Sequence, residues 1–174
     1  MNTKTSLITA LALALLIPAA AHADTAKFDA AMQPLLTPYF KIHAALAGDT
    51  DKGVAKAAKK IARLAGKVNP KSVDGMHAAH YKALPGKIKA AASTLAKAKG
   101  IAAQREAFKD LSKPLAMWVS MSKPAGVNVV FCSMAKGSWL QKDKTIANPF
   151  YGAKMLRCGE IIGREVARRM DIQF

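Results

Sequence analysis

The sequence predicts a mainly α protein: an up-and-down helical bundle of about four helices carrying a small C-terminal strand/turn unit. Three observations predict it. Alanine and lysine abound while aromatics make up only 6% of the chain, a composition that favours helix. Apolar residues recur at spacings of three and four in successive segments between residues 37 and 121, as helices with one buried face require. A single β-branched run, "VNVVFC" at residues 127–132, breaks that period and reads as a strand.

Ahead of the bundle lie Lys4, an apolar run over residues 7–17, Pro18 and the small-residue tail Ala21-His22-Ala23. That is the layout of a secretory signal peptide cleaved near Ala23. The run falls short of the roughly 20 residues a spanning helix needs, and no later run approaches that length. Residues 24–174 are therefore expected to form one exported domain without a transmembrane segment.

The first helix of the bundle is expected from Thr37-Pro38, an N-cap followed by proline at the first helical position, to Gly48. Within it "PYFKIHAALA" sets Tyr39, Ile42 and Leu46 on one face. After Asp49, "TDKGVAKAAKKIARLAGKV" carries Val54, Ala58, Ile61, Ala62 and Ala65 on one stripe, and Asn69-Pro70 is expected to break it. The short segment "VDGMHAAHYKAL" is expected to stop at Pro85-Gly86. A further helix, "KIKAAASTLAKAKG", offers Ile88, Ala91, Ala92 and Leu95 and ends at Gly100. The longest pattern is "IAAQREAFKDLSKPLAMWVSM", with Phe108, Leu111, Leu115 and Trp118 on one face. Pro114 is expected to kink or split it, because proline lacks an N–H and clashes with the preceding turn. Past the turn at residues 123–126 comes the strand. From Gly159 onward the chain reads as a short strand or a basic terminal helix, "GREVARRM" favouring helix.

A net charge of +16 favours polyanions or anionic surfaces and says nothing of fold. The basic residues are not interleaved with aromatics as single-strand binders need for base stacking, so no nucleic-acid partner is expected; the lysines read as solvated helix faces. No G-x-S-x-G, phosphate loop or H-E-x-x-H is present. With eleven acidic residues in no paired pattern, the chain is not expected to be an enzyme.

Chemistry concentrates in residues 131–160, which hold both cysteines: "FCSMAKGSWLQKDKTIANPFYGAKMLRCGE". Phe131, Cys132, Met134, Ala135, Trp139, Leu140, Asn148, Pro149, Phe150, Tyr151, Gly152, Met155, Leu156, Cys158 and Gly159 resemble the signature of the domain-of-unknown-function 3347 family. Ser133 stands where that family usually has proline. Upstream, "YFKIHAALAGD" (Tyr39, Ile42, Ala45, Leu46, Asp49) is similar to its opening helix and "QREAFKDLS" (Arg105, Phe108, Leu111, Ser112) to its middle one. The resemblance implies a periplasmic protein, because the family occurs as free exported domains and fused to the adaptors of copper and silver efflux systems. An efflux adaptor is the partner it suggests.

The residue chemistry supports several readings of that stretch. Two cysteines in an oxidising compartment make a Cys132–Cys158 disulfide the default. By chain entropy it contributes about 3–4 kcal/mol. Thiolates and thioethers are also the soft ligands that select Cu(I) and Ag(I). Cys132 and Met134 share a side if the strand continues, and Met155 and Cys158 share a face of a turn, so four sulfurs could converge on one ion. Zinc fits less well, since its structural sites use four Cys or His ligands at other spacings. Free, redox-active thiols near Lys154 and Arg157 are the third reading. "NPFYG" reads as a turn whose aromatics, with Phe131 and Trp139, pack over the sulfurs. "MHAAH" (Met76, His77, His80) is a secondary metal candidate, more readily a solvated pair, and His43 reads as a surface or boundary histidine. Two functions are thus expected from the sequence. One is accessory copper or silver handling through a Cys/Met site. The other is an interaction module with a disulfide and a basic surface that docks an acidic protein or an anionic membrane.

Overall fold

A computed structural model describes residues 20–73 and 78–162, with side chains from residue 25. Residues 1–19 of the leader expected over 1–23, Met76, His77 and the segment "GREVARRM" all lie outside it.

Helix α1 (Ala20–Met32) runs through a 3-10 turn (Gln33–Leu35) into α2 (Leu36–Ala47). Then follow α3 (Val54–Ala65), α4 (Ala78–Lys97), α5 (Gly100–Ser122), β1 (Asn128–Cys132), β2 (Gly137–Gln141), a second 3-10 turn (Gly152–Met155) and β3 (Glu160–Ile161). Each helix from α2 to α5 packs on the next, so the bundle is up-and-down. The sheet has order β2-β1-β3 with both pairings antiparallel. It closes the bundle through β2, which packs on α5.

The helical periods place the core as expected. Tyr39, Ile42 and Leu46 of α2, Val54, Ala58 and Ile61 of α3, and Phe108, Leu111, Leu115 and Trp118 of α5 are all fully buried. Ala62 is only partly so.

Four expectations fail locally. Thr37 does not cap α2. Helical dihedrals pass straight through Leu35 and Leu36 from the 3-10 turn, whose early proline, Pro34, takes over the initiating role. Helix α3 stops at Gly66 rather than at Asn69-Pro70. Pro85-Gly86 does not end a helix: α4 continues across it, with Leu84, Pro85 and Ile88 all buried. Pro114 does not split α5 and is itself buried. In both helices the proline has no N–H to donate to the preceding turn. The apolar face packed on either side of it is long enough to hold the helix together, since tertiary burial outweighs local propensity.

Polar bonds fix the sheet to the bundle. The Tyr39 hydroxyl, fully buried, bonds Ser112 Oγ at 2.7 Å and accepts the Leu140 N–H at 3.1 Å. It thereby joins α2, α5 and β2, and burial pushes its pKa well above the ordinary phenol range. Trp118 Nε1 donates to Asp29 at 2.7 Å, tying α5 to α1.

Candidate functional site

Two pieces of chain bring the cysteines together. Cys132 is the last residue of β1 and 1% exposed. Cys158 lies beyond the 3-10 turn, its N–H donating to Met155 O at 3.0 Å. Two residues later β3 pairs with β1, Phe131 opposite Glu160, which swings Cys158 alongside Cys132. The intervening Gly159 has φ +140°, and a Cβ there would stand 2.6 Å from Trp139 Cη2 and 3.3 Å from Phe131 O. Only glycine fits this crossing.

The sulfurs are 2.7 Å apart, both as free thiols. Backbone donors from the turn between β1 and β2 reach them: Ala135 N–H points at Cys132 Sγ at 3.4 Å, and Met134 N–H bonds Cys158. The hydrogen bond with Cys132 pushes the Cys158 thiol up in pKa; burial and the charge of Cys132 add to this, and the Met134 N–H opposes it.

The frame around the pair is built from the "NPFYG" turn. Asn148 is fully buried. Its Nδ2 donates to Cys158 O at 2.8 Å, while its Oδ1 accepts Phe150 N–H at 2.8 Å and Tyr151 N–H at 3.3 Å. The Tyr151 hydroxyl donates to Met134 O at 3.0 Å, so one turn grips both cysteine-bearing segments. That turn is in turn anchored to the helices by Arg105. Its guanidinium donates to Leu46 O (2.8 Å), Pro149 O (3.1 Å) and the Asp49 carboxylate (2.6 Å). Asp49 also accepts the Ala153 N–H at 2.8 Å. These bonds, the Arg105 one foremost, hold the Asp49 carboxyl below the usual range. Gly152, at φ +58°, packs so closely here that a Cβ would collide with Asp49 and Arg105.

Other expected site residues fall as follows. Met134 is not in the strand beside Cys132: β1 ends at Cys132, and Met134 sits in the turn, 63% exposed. Met155 is half-buried on the 3-10 turn. Phe150 lies edge-on to Trp139, ring centroids 5.6 Å apart, and 6.2 Å from Phe108, so it bridges sheet and bundle. Trp139 abuts the backbone beside Cys158, Phe131 is half-buried and Pro149 buried. His80 is exposed on the first turn of α4. Of the surface and boundary positions expected for His43, it takes the boundary one: it is 9% exposed, its Nε2 donates to Ala147 O at 2.8 Å, and desolvation lowers its pKa. Among the described residues no group of three or more His, Cys, Asp or Glu could hold a metal ion.

Sequence reasoning missed two parts of this frame. The Arg105–Asp49 clamp joins residues far apart in the chain. Buried Gln141, which accepts from Trp139 Nε1 at 3.0 Å and donates to Asp143 O and Thr145 O, holds the loop after β2. Nothing in the sequence marked the second, because strand β2 carries no alternation to show where Gln141 would sit.

Residues 35–125, just over half of the chain, match the family described as "Protein of unknown function (DUF3347)". The matched span contains Tyr39, Asp49, Arg105 and Ser112, the helix-side residues of the Tyr39 and Arg105 ties to the sheet unit, and ends before the cysteine segment. No curated protein and no solved structure matches the chain. The chain is a member of the DUF3347 family.

Proposed function

We propose that the chain is an exported, non-enzymatic accessory protein of copper or silver homeostasis, taking Cu(I) or Ag(I) as cargo on the reduced cysteine pair. The observation that carries this is the meeting of Cys132 and Cys158 in a rigid frame, with thioethers on both flanking turns. Thiolate and thioether sulfur is the donor set that prefers soft monovalent ions. Cys132 and Cys158 would hold the ion and Met134 and Met155 complete its shell, the exposed Met134 being the first donor an arriving ion meets. The family resemblance points the same way, and a periplasmic location with an efflux adaptor as partner belongs to this reading. Anaerobic titration of reduced protein tests it: one ion per chain is expected, lost in the double variant Met134→Leu with Met155→Leu. Stoichiometric binding that survives in the double variant would remove the thioethers from the site, and no binding would end the reading.

A second reading rests on the direct apposition of the two sulfurs. In an oxidising compartment the pair would pass two electrons and two protons to the disulfide-forming oxidant found there and clamp the tail. The chain would in that case be an interaction module. A thiol count on protein isolated without reductant separates the readings: two free thiols favour the cargo site, none the clamp.

A further inference from the structure

Away from the sulfur pair, α2 and α3 enclose a groove of about 590 Å³. Six cations line it: Lys41 from α2, Lys52 from the loop, and Lys56, Lys59, Lys60 and Arg63 from α3. No acidic side chain lines it, and among the described residues none of the six makes an ion pair. The lysine stripe alone would be the solvated face of an amphipathic helix. What sets it apart is the opposite wall, where Thr37, Pro38 and Lys41 face it across a floor that includes buried Ala57.

The geometry points to this groove as the docking site for an extended acidic peptide segment of a partner protein. Lys56 and Lys60, and likewise Lys59 and Arg63, are four residues apart on α3 and so about 6 Å apart along its axis. In an extended peptide, side chains on one side recur every ~6.6 Å. Alternate carboxylates therefore fall in register with successive cations, while Lys41 closes on them from the other side. A row of this kind is longer than one phosphate needs. A flat anionic bilayer would not enter a two-walled groove, and among the described residues the exposed large hydrophobics that could anchor in lipid, Met134 and Ile161, belong to the sheet unit instead. Nucleic acid is disfavoured because no aromatic lines the groove for base stacking. The inference is independent of the cargo reading.

Fluorescence anisotropy of the intact chain with a labelled peptide of alternating Glu and Ser tests it. Binding should weaken steeply with salt. Lys56→Glu with Lys60→Glu should cost about tenfold or more in affinity, because paired charges become repulsive. Lys87→Glu with Lys99→Glu, the same charge change on exposed sites of α4 and its exit loop, should cost far less. The neutral pair Lys56→Gln with Lys60→Gln keeps the test valid should charge reversal disturb the fold. Equal losses in the groove and control variants would reduce the effect to net charge and overturn the proposal. So would binding to anionic vesicles in preference to the peptide, or no peptide binding at low salt.

Discussion

Asn148→Ala strikes the centre of the frame around the cysteines. Alanine keeps the backbone bonds of the position, from Asn148 N–H to Leu156 O and from Gly152 N–H to Asn148 O. It deletes three side-chain bonds, two of them 2.8 Å long and one 3.3 Å. The buried Phe150 N–H and the Cys158 carbonyl lose their partners, at about 1–3 kcal/mol for each buried group left unsatisfied. Counting the long Tyr151 bond as minor gives a loss of about 3 kcal/mol. For a chain of this size that corresponds to a fall of roughly 6–12 °C in Tm. Urea unfolding in reductant at neutral pH measures it: the midpoint should drop with the slope m unchanged. Because the Cys158 backbone is released, the thiols should also react faster with a thiol reagent in the folded state. A loss below about 1 kcal/mol, with thiol reactivity unaltered, would refute the assignment of Asn148 as the pin of this segment.

The other predictions concern the clamp and the pH response. Arg105→Lys keeps the charge but cannot serve three acceptors from one planar fork, and should cost about 1–2 kcal/mol by urea denaturation. Gly152→Ala should cost at least ~2 kcal/mol, from left-handed backbone strain and from displacing the Asp49–Arg105 pair; loss of less than half that would show the turn to be adaptable. His43 has a folded pKa below its ordinary 6.5, so as pH falls the unfolded chain takes up its proton first. Its contribution is full above about pH 6.5 and declines below it. The urea midpoint should fall on going from neutral to mildly acid pH, and His43→Gln should flatten that slope. Asp49 acts in a separate window. Its depressed pKa gives a contribution present above 3.8 and lost as pH falls through the lower folded value, so Asp49→Asn should leave the His43 slope intact.

What was legible in the sequence were the features that rest on local period. The buried faces of α2, α3 and α5 follow from spacings of three and four, and β1 from its β-branched run. Strand β2 was not legible. All five of its residues are buried, so it lacks the alternation that marks a strand with one wet face. The boundaries at Pro85 and Pro114 misled because a breaker acts locally while the packing that overrides it comes from neighbouring helices. At the site, the sulfur-bearing turns and the "NPFYG" turn could be read from residue types. The reach of Arg105 to Asp49 and of Tyr39 to Leu140 could not, since each joins segments that only the fold makes neighbours. The Met134 expectation failed because the strand ended two residues early, and a side chain beyond a strand end no longer obeys its alternation.

The ordering β2-β1-β3 also governs how the sheet meets other chains. On one flank β2 is covered by the bundle, with the Leu140 N–H quenched by a phenol. On the other, β3 is only two residues long and bears Glu160, a short charged rim of the kind that discourages strand-to-strand recruitment. Cutting the chain after Gly159 would remove that rim and bare the backbone of Val130 and Phe131. A sheet guarded at both margins would thereby acquire a sticky hydrophobic border.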